Sequence, residues 1–146
     1  RRKEIYVHKF SEFYRNTISG GTTSMNTLES LPFSLGIRTN YKGYYYLVDA
    51  LTLIMEDENR LLSIGTELFP AIALKYQTDV RCIERNIRTV IKVCWESTAC
   101  QRLKSISPYP LESPPTVGEF LDILFWHLVR EKETAARKKR KSGFKI

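Results

Sequence analysis

The sequence predicts an all-α fold of about six helices, with a helix-turn-helix among them. Three observations carry that expectation. Apolar residues recur three or four positions apart through most of residues 25–130, the period of a half-buried helix. No stretch after residue 20 alternates in the manner of a strand. No internal repeat is visible, so a solenoid is not indicated. With 146 residues, 42% of them hydrophobic, the chain has material for one core and hardly a second.

Along the chain, residues 1–24 read as a basic-aromatic arm and linker. Ile5, Val7, Phe10 and Phe13 fit a strand start or a short helix equally well, and Gly20-Gly21 among Ser and Thr marks a turn. A helical body is expected over 25–130. Asn26-Thr27-Leu28-Glu29 resembles a capping box, opening a short helix with Met25, Leu28, Leu31 and Leu35 inward. Pro32 should kink or shorten it, and Gly36 should stop it. Lys42–Glu56 is the clearest helix, with Tyr45, Leu47, Val48, Leu51, Ile54 and Met55 on one face. Arg60–Tyr76 is helical in pattern, but Pro70 should split it near Phe69-Pro70. Thr78 is the expected N-cap of the next helix, with Asp79 in its first turn. A short helix is expected over Ala99–Ile106, then an extended connector through Pro108, Pro110, Pro114 and Pro115. Thr116-Val117-Gly118-Glu119 is a second capping box, ahead of Phe120, Leu121, Leu124, Phe125 and Leu128. Residues 131–146 read as a basic, disordered tail.

The charge is unevenly distributed along the chain. Of the net +7, residues 130–146 hold +6, from eight Lys/Arg against Glu131 and Glu133; residues 1–129 hold fifteen basic against fourteen acidic side chains. The body is therefore almost neutral, and a nucleic-acid role must rest on local placement. No apolar run reaches the roughly eighteen residues of a membrane span, and the N-terminus has no apolar signal-peptide core. The chain opens at Arg1, not Met, which leaves room for an upstream domain. Cys82, Cys94 and Cys100 form no CxxC pair and lie far from His8 and His127, so no metal or other cofactor is expected. His127 reads as a packing or surface residue. Free thiols fit a cytoplasmic protein. No glycine-rich phosphate loop, GxSxG or HExxH is present, and Glu56-Asp57-Glu58 has no histidine partner, so the expectation is not an enzyme.

The placement that matters lies between Thr78 and Trp95. Val80, Ile83, Ile87, Val90, Ile91 and Cys94 form one apolar stripe, while Arg81, Glu84, Arg85, Arg88 and Lys92 fall on the other side. An ordinary solvated amphipathic helix has the same pattern. The preceding Leu68–Tyr76 segment adds context: a short helix rich in small residues, a tight junction, then a basic amphipathic helix is the helix-turn-helix order. That motif lays its second helix, here about 79–96, in the DNA major groove. It selects Arg81, Glu84, Arg85 and Arg88 for base edges, with Thr89 and Lys92 nearer phosphates. An arginine fork matches guanine O6 and N7. Glu84 stands four residues before Arg88, so it can instead form an intrahelical pair worth ~0.3 kcal/mol. Arg85 and Arg88 are accordingly the stronger base readers.

Four segments carry a resemblance. They are Tyr41-Lys42-Gly43-Tyr44-x-Tyr46-Leu47; Leu68-Phe69-Pro70-x-Ile72-Ala73-x-Lys75-Tyr76; Ile83-Glu84-Arg85-x-Ile87-Arg88 with Ile91 and Trp95; and Pro115-Thr116-x-x-Glu119-Phe120. In this order and spacing, over roughly residues 28–130, the chain resembles the C-terminal DNA-binding family of the sporulation-initiation response regulator, stage-zero sporulation protein A. The resemblance implies a six-helix effector domain of a bipartite response regulator. It implies transcription control through short double-stranded DNA boxes, a homodimer on tandem sites, RNA polymerase as a further partner, and the Glu84–Arg88 helix as reader. Arg81 and Cys82 depart from the small or basic first-turn residues of the family's master regulator, and Thr89 from its histidine, so a different operator preference is expected. The family's receiver domain has no counterpart within these 146 residues, and phospho-activation is not implied. The competing reading is a helical protein-binding module whose basic tail gives only non-specific nucleic-acid affinity.

Overall fold

The computed structural model describes residues 27–143, with side chains through residue 138. Among these residues there are six α-helices and no strand: α1 (Thr27–Ser34), α2 (Lys42–Glu56), α3 (Phe69–Lys75), α4 (Val80–Glu96), α5 (Cys100–Ile106) and α6 (Val117–Gly143). Between α2 and α3 lie a 3-10 turn, Glu58–Leu62, and a π turn, Ile64–Leu68. The readings made for residues 1–24, for Met25 and for Asn26 as a cap fall outside the described residues.

Helix α2 is the hub, packing on α1, α4 and α6. Its buried side is wider than the spacing suggested: Tyr44, Tyr45, Tyr46, Leu47, Ala50, Leu51 and Ile54 are all buried, while Val48 and Met55 are only partly covered. The reason is that neighbours stand on three sides. Gly43 is required where α2 meets α4. A Cβ there would lie 2.3 Å from the Asn86 carbonyl oxygen and 2.7 Å from Val90 Cγ1. The two backbones approach too closely for any side chain.

The punctuation of the chain follows local chemistry. Pro32 sits inside α1, two residues before its end, and its carbonyl accepts from the Ile37 amide at 2.9 Å across Gly36, which has φ 78°. Glycine takes that left-handed cap without penalty. Pro70 occupies the first turn of α3, where no backbone donor is lost. At α6 the expected capping box is complete: the Thr116 amide donates to Glu119 Oε1 at 3.0 Å and the Glu119 amide to Thr116 Oγ1 at 3.2 Å.

Two expectations need correction. The N-cap of α4 is Asp79, not Thr78: Asp79 Oδ1 accepts from the Cys82 amide at 2.7 Å, whereas the Thr78 hydroxyl is buried without a hydrogen-bond partner. The last helix also does not give way to a disordered tail at 131. It continues to Gly143, because Glu131–Lys141 is built of Glu, Lys, Arg and Ala, all strong helix formers, with one Thr.

Candidate nucleic-acid interface

The helix-turn-helix is α3, a turn through Tyr76–Asp79, and α4. Helix α3 closes with the Thr78 amide donating to the Ala73 carbonyl at 2.9 Å and the Gln77 amide to that of Leu74 at 3.3 Å. This paired closure needs a left-handed residue, and Gln77 supplies it at φ 54°. The turn is tied to the hub by Asp49, the one charged side chain buried among the described residues. Tyr76 Oη donates to Asp49 Oδ2 at 2.5 Å and Lys75 Nζ to Oδ1 at 3.1 Å. The carboxylate thus keeps two strong donors, the condition for burying a charge. Sequence reasoning passed over Asp49. Its signal was a lone acid within the apolar run Tyr44–Ile54.

Helix α4 is seated by Ile83, Ile87, Val90, Ile91 and Cys94, all buried and all on the expected stripe. Each fully buried isoleucine contributes on the order of 1.5–3 kcal/mol, so this face firmly sets the helix's rotation. Cys94 is core, its thiol pushed up to about 12 by burial and, secondarily, by Cys100. Turned outward are Arg81, Arg85, Arg88, Thr89 and Lys92, all exposed, with Glu84 half-exposed beside them. Arg88 Nη2 donates to Glu84 Oε1 at 2.6 Å. Thr89 Oγ1 donates back to the Arg85 carbonyl at 3.0 Å, leaving only its lone pairs to offer outward. Among the described residues Arg81, Arg85 and Lys92 form no ion pair. All six expected site residues therefore lie together on one helix, as a row of forks and an ammonium interrupted by one carboxylate.

Other candidates fall away from this face. Glu56 pairs with Arg60 at 3.2 Å, and Asp57 Oδ1 accepts from the Asn59 amide at 3.1 Å, so two of that acidic trio have local structural roles. His127 Nε2 lies 3.6 Å from Glu131 on α6, and burial lowers its pKa despite that carboxylate. No cluster of three His, Cys, Asp or Glu suited to a metal occurs among the described residues. No described helix is long and apolar enough to cross a membrane.

The family model for the C-terminal region of sporulation initiation factor Spo0A matches residues 28–128. The match takes in all of α2 to α5 and ends inside α6. That family comprises DNA-binding domains of sporulation regulation.

Proposed function

The chain belongs to the Spo0A C-terminal family, and on that premise we propose that it is a sequence-specific transcriptional regulator that reads the DNA major groove with α4. One observation carries the reading. A helix whose rotation is set by five buried residues points Arg81 and Arg85 outward, with Arg88 steered by Glu84. Bidentate guanidinium contacts to guanine are each worth about 1–3 kcal/mol of discrimination. In this reading Glu84 positions Arg88, Thr89 and Lys92 approach phosphates, and tandem boxes are bound by two copies, with RNA polymerase as the downstream partner. The thiols of Cys82 and Cys100, both partly exposed and unpaired in disulfides, suit a reducing cytoplasm. No catalytic role is proposed.

The test is selection from a randomised duplex pool, followed by gel shifts with the full chain, Arg85→Ala, Arg88→Ala and a chain ending at residue 130. An enriched motif is expected, with selectivity lost in both arginine variants and retained after truncation. A pool that yields no motif, or retention that vanishes with the truncation, sinks the proposal and favours the protein-binding module.

A further inference from the structure

A groove of about 490 Å³ runs beside the second half of α4. One wall carries Arg88, Lys92 and Glu96, spaced four apart along the helix; the opposite wall is Pro114, Pro115 and Thr116; Ile91 and Trp95 complete the lining. Lys104 Nζ, from α5, sits 5.1 Å from the centroid of the Trp95 ring. Two cations of α4 thus line an apolar, aromatic-lined slot, with Glu96 its one carboxylate, and a third cation, Lys104, stands against the Trp95 ring.

We propose that this groove seats the sugar–phosphate backbone of the DNA strand flanking the groove that α4 reads. The inference rests on the reading above. Eleven residues separate Arg81 from Lys92, about 16 Å of helix at 1.5 Å per residue. The major groove is only about 12 Å wide. A helix that begins on base edges at Arg81 has therefore reached the backbone by Lys92. Arg88 and Lys92 belong to both the reading row and the slot, which makes the two surfaces continuous. Phosphate oxygens fall to Lys92 and Lys104, while the deoxyribose packs on Trp95 and the prolines. Glu96 repels a phosphate and so marks the outer limit of the seat. The start of α6 is not the anion site, because Thr116 and Glu119 already satisfy each other there.

The test measures the salt dependence of binding for the full chain, Lys92→Ala, Lys104→Ala and Glu96→Gln. Probes are the duplex enriched from the pool and a scrambled duplex. Each lysine variant is expected to reduce the slope of log K against log salt by about 0.9 and to weaken both duplexes roughly fivefold near physiological salt. Selectivity should stay unchanged. Glu96→Gln should tighten both by about twofold. Methylphosphonate substitution, one phosphate at a time, should find a position where neutralisation and Lys92→Ala are not additive. Unaltered slopes in folded lysine variants overturn the groove assignment, as does a protein ligand competing for the slot without affecting DNA. If Arg85→Ala still alters selectivity in that case, only the groove has failed; if it does not, the reading of α4 has failed with it.

Discussion

Helix α4 and the end of α6 are both rich in Lys and Arg, yet they hold their charge differently. On α4 the exposed row of Arg81, Arg85, Arg88 and Lys92 stands opposite five buried apolar residues. On α6 the buried residues end at Leu128, and side chains from Arg130 through Lys138 are all exposed. The sequence Arg137-Lys138-Lys139-Arg140-Lys141 places positive charge at five consecutive positions, with no apolar residue among them. The first arrangement can present forks to specific atoms. The second offers a field without orientation. Most of the net charge thus lies in the C-terminal stretch, and the nearly neutral body holds the surface proposed to discriminate.

The comparison breaks most sharply if α4 loses its seat. Gly43→Ala places a methyl group 2.3 Å from a backbone oxygen that cannot swing aside. Alanine's better helix propensity returns at most about 1 kcal/mol, and less in the first turn of α2. Overpacking of this kind typically costs about 1–3 kcal/mol, so net destabilisation is expected. Urea unfolding should show a lowered midpoint, and selectivity should fall with it because α4 is displaced. A midpoint equal to wild type would mean that the close approach of α2 and α4 yields easily.

The next effect separates the two basic regions directly. Arg85→Ala should remove about 1–3 kcal/mol of discrimination between the enriched and scrambled duplexes. Replacing Arg137, Lys138, Lys139, Arg140 and Lys141 by glutamine should weaken both duplexes by a common factor and flatten the salt dependence. Competition titrations at two salt concentrations check both. A selectivity change in the glutamine variant would give the α6 end an orientation that its charge pattern does not suggest.

Why was α4 so legible in the sequence while parts of its support were not? Its stripe, Val80 to Cys94, is a local period that one amphipathic helix must obey, and the structure buries every member but Val80, which is partly covered. The Thr116–Glu119 box is equally local. Gly43 acts through α4, and Asp49 through Lys75 and Tyr76, partners 26 or more residues away, and no local pattern encodes that. Lys104 reaches Trp95 from another helix for the same reason. The α6 extension was misread because its charge suggested solvation, whereas its residue types favour helix with or without burial. Thr78 and Asp79 are both good caps, and their choice turns on the closure of α3, which draws the Thr78 amide back to Ala73.

That choice can be tested. Asp79→Ala removes the acceptor for the Cys82 amide, 2.7 Å away in the first turn of α4. Loss of such a cap costs about 1 kcal/mol. Thermal unfolding should register the drop, and Asp79→Asn should recover most of it. Thr78→Val, by contrast, removes a hydroxyl that has no hydrogen-bond partner, so it should be neutral or slightly stabilising. If Thr78→Val proves the more damaging change, the cap assignment is reversed.

The smallest effect lies at Gln77, where α3 ends and α4 is about to begin. Its φ of 54° is a conformation that a residue with a side chain adopts at a cost of about 1–2 kcal/mol, and glycine adopts freely. Glycine also loosens the unfolded chain, which takes back about 0.4–1 kcal/mol. The two terms nearly cancel, and relief of the turn should prevail by about 0.5 kcal/mol. Gln77→Gly should therefore raise the denaturation midpoint slightly while leaving selectivity intact, since Gln77 contributes the turn and not the reading row. A loss of stability would show that the unfolded-state term outweighs relief of the turn at Gln77.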